Sequence, residues 1–196
     1  MNLSAVILAG GQSSRMGRDK AWLELDGQPL IIRAANTIRA LDINEVFISG
    51  RAGVDYSRAG CPVLLDLEPG LGPLAGIERA LQALDTALLL VLAVDLPGMT
   101  TPFLRKLTTR RTPFTGAVPM LGGDLEPLAA VYPKRCQAIA VDCIIRCRRA
   151  AKDFALACLK EKAVRPFVVA PSDAGCFANW NKPSDADLSG SNRRFS

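Results

Sequence analysis

Short apolar runs alternate with amphipathic segments through the first half of the chain. The apolar runs occupy residues 3–9, 46–48, 62–65 and 87–94. Each run is followed by Gly, Ser or Asp, and the runs at 3–9, 46–48 and 87–94 are typical of strands buried in the middle of a sheet, whereas 62–65 predicts a third short strand. Apolar residues recur at helical spacing over residues 29–41, with Pro29 suited to the first turn, and over residues 74–84. The alternation predicts βαβ units and a mostly parallel sheet.

The second half of the chain is less regular. Helices are expected over residues 102–110 and 134–162. Neither Gly nor Pro occurs within the longer of these segments, but a break is expected near Arg149. A last strand is expected over residues 166–170.

An antiparallel hairpin is also predicted in the second half. Two apolar segments, 115–120 and 128–132, flank the turn signal GGD at residues 122–124. Together with the βαβ units, the hairpin predicts an α/β fold, namely a three-layer α/β/α sandwich with a mostly parallel, Rossmann-like sheet. No internal repeat or linker is visible, so residues 1–188 are expected to form one domain, followed by a disordered polar tail at 189–196.

Composition narrows the class of protein. The chain has 196 residues, of which 49% are hydrophobic, and can bury a core as one domain. It has no apolar window of about eighteen residues, and its N-terminal apolar run is short and lacks a preceding basic region, so we expect no signal peptide, no membrane association and a cytoplasmic location. The net charge of +5 suits an anionic small molecule, and no long Lys/Arg run argues for nucleic acid. The absence of histidine excludes His-based general bases and triads.

The six cysteines form no CxxC pair, so the usual zinc patterns are absent. Cys136, Ala140, Cys143 and Cys147 recur at helical spacing and are expected to lie on one helix face. Cysteines on one helix face could form a metal or redox site, but a role as small apolar residues packed in the core explains the spacing better. We call these four residues the cysteine stripe. A reduced protein with buried thiols is therefore the expectation.

The first predicted strand runs into a glycine-rich loop in the segment LSAVILAGGQSSRMGRDK. Gly10 and Gly11 let the backbone turn sharply, and successive N–H groups in such a turn form a concave anion site. The cations Arg15, Arg18 and Lys20 follow and can close over the anion. The segment predicts a polyphosphate cradle; the alternative is a plain turn between a strand and a helix.

Two familiar phosphate loops have a different spacing. A Walker A loop has four residues between its glycines and then Lys, whereas five residues separate Gly11 from Gly17 here and Arg18 follows. The dinucleotide fingerprint is absent because Gly10 and Gly11 are adjacent.

Two carboxylates follow predicted strands and are expected at one edge of the sheet with Gly10 and Ser49, because ligands bind beyond the carboxyl ends of parallel strands. Asp95 follows the most apolar run, and beside a phosphate loop it supplies the carboxylate that Mg²⁺ prefers. The alternative role of Asp95 is to cap a helix that begins near Thr101. Asp66 has a similar alternative, as a cap of the turn that follows it.

Five sequence blocks, spread over nearly the whole chain, resemble the molybdenum cofactor guanylyltransferases, a family of small nucleotidyltransferases. The blocks are LAGGQSSRMGRDK, GPLAG at residues 72–76, DLP at 95–97, EPLAAVY at 126–132 and FANWNKPSD at 177–185. The chain departs from the family's pattern at Trp180 and Lys182, beside the positions associated with the acceptor, and at Glu126.

The resemblance implies a set of ligand-binding positions. GTP would be bound at Leu8, Ala9, Gly10, Gly11 and Lys20, with further contacts at Ser49 and Asp66, and Mg²⁺ would be bound at Asp95. Asn179 and Asn181 match the family's N-x-N pair, whose neighbourhood is associated with molybdopterin. From the loops themselves we add Ser13, which either contacts the nucleotide or satisfies loop backbone groups, and Gly72, in a stiff loop that can pass close to a planar base.

The implied reaction transfers GMP from GTP to the phosphate of molybdopterin and releases pyrophosphate. The acceptor is already anionic, so positioning and charge neutralisation suffice, with Arg15 and Lys20 offsetting the charge of the departing pyrophosphate. The implied protein partners are molybdoenzymes or their chaperones, contacted transiently. Two alternatives stay open: a nucleotidyltransferase with another nucleotide or acceptor, such as a cytidylyltransferase, and a non-catalytic nucleotide-binding module. The resemblance also favours guanine, because in this superfamily the residue after Leu-Ala tends to be Gly in enzymes that use guanine and Ala in those that use cytosine, and here it is Gly10.

Overall fold

A computed structural model of the protein describes residues 3–10, 19–65 and 72–180. The strands are β1 (Leu3–Leu8), β2 (Glu24–Leu25), β3 (Gln28–Pro29), β4 (Val46–Gly50), β5 (Val63–Leu65), β6 (Leu88–Ala93), β7 (Gly116–Leu121), β8 (Asp124–Leu125), β9 (Ala129–Pro133) and β10 (Val164–Val168). The α-helices are α1 (Leu30–Arg39), α2 (Pro73–Ala83), α3 (Thr101–Thr109), α4 (Cys136–Ile145) and α5 (Ala151–Lys160). None of the helices in the described ranges is long and apolar enough to cross a membrane. The predicted tail lies outside those ranges, and the single domain stays a prediction.

An eight-stranded sheet forms the centre of the fold. Seven strands follow the order β10-β7-β9-β6-β1-β4-β5, and β8 pairs with β7. β1 is parallel to β4 and β6, β4 is parallel to β5, and β7 is parallel to β10. β1 and β6 are buried along their whole length, as expected for apolar runs in the middle of a sheet covered on both faces.

Helices cover both faces of the sheet because successive side chains of a strand point to opposite sides. In β1, Leu3, Ala5 and Ile7 pack with α1 and α3, whereas Val6 and Leu8 pack with α2, α4 and α5. Full burial of one such aliphatic side chain contributes about 1.5–3 kcal/mol. The predicted three-layer α/β/α sandwich is confirmed.

The predicted antiparallel hairpin is present and contains one more short strand than the sequence indicates. β7 turns through Gly122 and Gly123, with φ of 59° and 94°, into β8. The chain then reaches β9, which is antiparallel to both β6 and β7. Gly116 permits the close approach of β7 and β9, because a Cβ there would lie 1.9 Å from the carbonyl oxygen of Val131.

Some predicted boundaries differ from the structure by one or a few residues. Pro29 does not occupy the first turn of α1, because it pairs with Glu24 in the small β2–β3 hairpin and the helix begins at Leu30. The predicted break near Arg149 is confirmed, since residues 134–162 form α4 and α5 with residues 146–150 between them. The last strand begins two residues earlier than predicted, at Val164.

The cysteine stripe is only partly as predicted. Cys136 and Cys143 are buried on α4, but Cys147 lies beyond the end of that helix with φ of 58° and is exposed. The prediction that Cys147 shares their face is therefore wrong. Burial raises the pKa of Cys143, and the hydrogen bond with Cys136, followed by burial, raises the pKa of the Cys158 thiol. A raised pKa keeps a thiol protonated at neutral pH, whereas metals bind the thiolate.

We expect the purified reduced protein to hold no metal and no disulfide at these cysteines. A thiol reagent should label the exposed Cys147 quickly and the buried cysteines only after denaturation, because the reagent needs access and a thiolate. Elemental analysis and thiol titration in denaturant check this, with six reactive thiols expected. Stoichiometric zinc or iron, or a shortfall of two thiols, would contradict it.

Candidate active site

The carboxyl ends of β1, β4 and β6 meet at one edge of the sheet. Leu8 at the end of β1 lies between Ser49 of β4 and Ala93 of β6. Beyond Leu8, the N–H groups of Ala9 and Gly10 both donate to the Ser49 carbonyl, at 2.9 and 3.1 Å. These bonds hold the first residues of the glycine-rich segment against the end of β4, where the strand pattern predicts them.

Lys20 and Asp95 meet at this edge although 75 residues separate them. Lys20 Nζ lies 3.3 Å from Asp95 Oδ2, and the two side chains are 19% and 30% exposed. Lys20 begins a short 3-10 helix, Lys20–Trp22, and Asp95 follows β6 by two residues. The structure therefore brings together a cation and a carboxylate that are both partly exposed at the sheet edge.

The helix-capping alternative for Asp95 is wrong. The N-cap of α3 is Thr100, whose hydroxyl accepts from the Phe103 N–H at 3.3 Å. Asp95 lies five residues before that cap, and its carboxylate contacts Lys20 instead. The Asp95 carboxylate thus lies at the sheet edge, paired with Lys20, and takes no part in the start of α3.

Ser49 is only 3% exposed because α2 packs closely over it. Gly76 allows this approach, since a Cβ on Gly76 would lie 2.2 Å from Ser49 Oγ and 3.1 Å from Leu8 Cδ2. The Ser49 carbonyl holds the glycine-rich segment, as described above. A direct contact between Ser49 and a nucleotide stays a prediction.

Gly72 precedes α2 with φ of 71°, a conformation that favours glycine. A Cβ at Gly72 would lie 3.9 Å from the carbonyl oxygen of Arg149, so the turn between α4 and α5 reaches this loop. The proximity joins the second half of the chain to the predicted nucleotide loop. The sequence pattern indicated the break near Arg149 but not its contact with Gly72, because helical periodicity does not show which distant loop a turn will meet.

The Asn179 segment reaches the same edge. The N–H of Trp180 donates to the carbonyl oxygen of Asp95 at 3.1 Å, and the adjacent Asn179 is exposed. Gly98 lets this part of the chain approach, because a Cβ there would lie 2.4 Å from the Gly175 carbonyl oxygen. The predicted acceptor region and the predicted metal ligand are therefore neighbours.

Five predicted site residues lie outside the described residues: Gly11, Ser13, Arg15, Asp66 and Asn181. Their roles stay predictions. The strand before Asp66 ends at Leu65, beside Gly50 of β4.

A family model described as the MobA-like NTP transferase domain matches residues 5–173 of the chain. The chain belongs to this family. It is 35% identical over 188 residues to a protein of Opitutus terrae named "Probable molybdenum cofactor guanylyltransferase", and the match covers 94% of this chain and 93% of that protein. The recognised resemblance and the class of enzyme, a nucleotidyltransferase, are thereby confirmed.

Solved structures share the fold of this MobA-like NTP transferase. A molybdopterin-guanine dinucleotide biosynthesis protein A from Archaeoglobus fulgidus superposes with a TM-score of 0.73 at 23% identity, covering 94% of this chain and 95% of that chain. The 2-C-methyl-D-erythritol 4-phosphate cytidylyltransferase from Thermus thermophilus gives a TM-score of 0.70 at 19% identity, covering 93% and 95%. The same architecture thus occurs in proteins named for different nucleotides.

Three residues that sequence reasoning did not single out form a cluster beside Lys20 in this MobA-like NTP transferase. Arg51 Nη2 donates to Asp19 Oδ2 at 2.7 Å, and the Tyr56 hydroxyl donates to the same oxygen at 3.3 Å. The hydrogen bond to Asp19 raises the pKa of Arg51, and burial raises the pKa of Tyr56. Asp19 lies in the block that carries the family resemblance, which is the one signal that pointed to it. We call Asp19, Arg51 and Tyr56 the Asp19 network.

Proposed function

We propose that this nucleotidyltransferase transfers GMP from GTP to the phosphate of molybdopterin and releases pyrophosphate. The observation that carries the proposal is the Lys20–Asp95 pair, at 3.3 Å, beside the glycine-rich segment. A cation and a carboxylate at the carboxyl edge of a parallel sheet suit a bound metal triphosphate. The name of the Opitutus terrae relative supports guanine and the molybdenum cofactor.

The reaction follows from charge and position. An oxygen of the acceptor phosphate attacks the α-phosphorus of GTP, one P–O bond forms, the bond to the β-phosphate breaks, and pyrophosphate leaves. The attacking oxygen carries no proton, so no general base is required. Lys20, together with Arg15, would offset the charge that develops on the departing pyrophosphate, and backbone N–H groups of the glycine-rich segment would hold the phosphates.

Asp95 fits a magnesium site of one carboxylate completed by phosphate oxygens. Within the described ranges no group of three or more His, Cys, Asp and Glu side chains is placed to hold a metal. In the proposed site, oxygens of the substrate phosphates would therefore join Asp95 around the ion. When bound, Mg²⁺ would neutralise charge on the phosphate oxygens. Lys20 would then exchange its contact with Asp95 for one with the phosphates.

The acceptor would lie beside Asp95, next to Asn179. The hydrogen bond from the Trp180 N–H to the Asp95 carbonyl oxygen supports this placement, because it holds the Asn179 segment at the sheet edge. Asn181 would complete the pair. Molybdoenzymes or their chaperones would then receive the product by transient contact.

Transfer of CMP is the second candidate function, because the chain shares its fold with the Thermus thermophilus cytidylyltransferase. The hydrogen-bonding groups of the two bases nevertheless favour guanine. Guanine presents an N1–H and an exocyclic amine, from which a rim carboxylate such as Asp66 would accept. Cytosine presents one amine and a neighbouring acceptor, so the same carboxylate would be poorly paired. Mismatches of buried polar groups discriminate strongly between substrates.

We expect GTP to be preferred over CTP by at least about tenfold in kcat/KM, equivalent to roughly 1.4 kcal/mol. The measurement is a panel of nucleoside triphosphates with molybdopterin present and pyrophosphate as the readout. Gly10→Ala should erode the preference by placing a methyl group where a purine approaches the backbone. Gly175→Ala is the matched control, because a Cβ at that position meets nothing within 4 Å.

The outcomes separate the candidates. Equal use of GTP and CTP by the parent protein would refute guanylyl transfer and leave nucleotidyl transfer standing. Failure to release pyrophosphate in a single turnover with any nucleotide would favour the non-catalytic binding module.

A further inference from the structure

Both carboxylate oxygens of Asp19 accept hydrogen bonds, one from the short helix that begins at Lys20 and the other from residues that follow β4. Oδ1 accepts from the Ala21 N–H at 2.9 Å and so caps the short helix that begins at Lys20. Oδ2 accepts from Arg51 and Tyr56, as described above. The Asp19 side chain is 7% exposed, so both oxygens depend on these donors rather than on bulk water.

The glycine-rich segment is anchored at both ends to the same few residues at the end of β4. Its beginning is held through Gly10, whose N–H donates to the Ser49 carbonyl at 3.1 Å. Its end is held through Asp19, which pairs with Arg51, two residues beyond Ser49. Lys20 follows Asp19 directly, so its backbone position depends on this second anchor.

Packing at the end of β4 is built around Tyr56. The Tyr56 residue is 2% exposed, and its hydroxyl accepts from the Arg51 N–H at 3.4 Å while donating to Asp19. A Cβ on Gly50 would lie 2.4 Å from the Tyr56 ring, so only glycine leaves room for the ring. The hydroxyl is therefore held where it can orient both Arg51 and Asp19.

We propose that the Asp19 network is a positioning device that holds Lys20 in register with Asp95, and that Arg51 is a positioning residue for turnover. The role of Arg51 in turnover rests on the function proposed above. Charge-assisted hydrogen bonds such as the Arg51–Asp19 pair are short and directional, so they fix geometry as well as adding energy. A misplacement of a reacting or stabilising group by about 1 Å costs on the order of a hundredfold in rate.

The test compares Arg51→Met with Arg105→Met. Both changes remove one guanidinium, but Arg105 donates to the Ala40 carbonyl, at the far end of α1. Hydrogen exchange is first measured on the ligand-free proteins. In Arg51→Met, the Ala21 amide should exchange about tenfold faster, since Asp19 loses its charged donor and caps the turn less firmly, while Arg105→Met should match the parent.

Pyrophosphate release is then measured with GTP and acceptor. We expect Arg51→Met to lower kcat by about 10- to 100-fold with a smaller change in KM. Arg51→Lys, which keeps a cation able to donate to Asp19, should restore most of the kcat. Tyr56→Phe removes only the hydroxyl and should show the same effects in weaker form.

Two results would overturn the proposal. One is exchange at Ala21 and a kcat in Arg51→Met that are both indistinguishable from those of Arg105→Met. The other is a raised KM for GTP with unchanged kcat and unchanged exchange, which would make Arg51 a direct nucleotide contact. If the parent protein releases no pyrophosphate, the proposed function fails, whereas the exchange comparison still decides whether the network positions Lys20.

Discussion

Replacing Lys20 by alanine is expected to lower turnover by roughly two to three orders of magnitude, the scale for removing a preorganised stabiliser of developing charge. Lys20 Nζ lies 3.3 Å from Asp95 Oδ2 at the edge where the glycine-rich segment begins. In the proposed reaction this ammonium offsets the charge of the departing pyrophosphate. The measurement is kcat for pyrophosphate release, with the midpoint of thermal unfolding recorded on the same samples.

Lys106→Ala is the matched control for Lys20→Ala. Lys106 also forms an ion pair, 3.0 Å from Asp173, but on α3 and with 53% of the lysine side chain exposed. Exposed pairs contribute about 0–1 kcal/mol to stability, so Lys106→Ala should stay folded. The midpoint of thermal unfolding tests whether Lys20→Ala is folded as well. Near-parental turnover in a folded Lys20→Ala protein would exclude Lys20 from the mechanism.

Asp95→Asn is expected to reduce activity by at least about a hundredfold and to raise the Mg²⁺ concentration needed for half-maximal turnover. The amide keeps the shape of the side chain but removes the negative charge that a hard cation requires. Charge stabilisation by a catalytic metal amounts to several kcal/mol, and each 1.4 kcal/mol is about tenfold in rate. Activity is titrated against Mg²⁺ for the parent and the variant.

Asp173→Asn serves as the control for Asp95→Asn, because it also removes one carboxylate charge from a lysine ion pair, the one with Lys106 on α3. A variant at Asp95 that titrates Mg²⁺ like the parent would remove Asp95 from the metal site. Since Thr100 caps α3, a loss of activity in Asp95→Asn would not be explained by a weakened helix start.

The central strands of the sheet were predictable because a strand that is buried on both faces appears in the sequence as a continuous run of apolar residues. The run over residues 87–94 contains only apolar residues, and the structure places β6 within it, between β1 and β9. The positions that follow such runs were predictable for the same reason, since parallel strands share one carboxyl edge. Gly10, Ser49 and Asp95 were thus expected together before any contact was known.

Contacts across long stretches of chain were not predictable in this way. Asp19 and Arg51 are 32 residues apart, and Gly76 meets Ser49 through the packing of a helix on a strand. Neither contact produces a periodic pattern, because each depends on how two elements lie against one another. Cys147 was misplaced for a related reason: helical spacing continues past the residue at which α4 ends.

The sequence alone determined the α/β architecture, the edge at which a ligand would bind and the family, because apolar periodicity and a contiguous motif are local properties. Only the tertiary structure decided that Asp95 pairs with Lys20 rather than capping α3, and that Asp19 is held by Arg51 and Tyr56. Which residue a charged side chain pairs with depends on the distances between separate elements of the fold. Those distances follow from the order of the strands, whose carboxyl ends share one edge of the sheet only once the chain has folded.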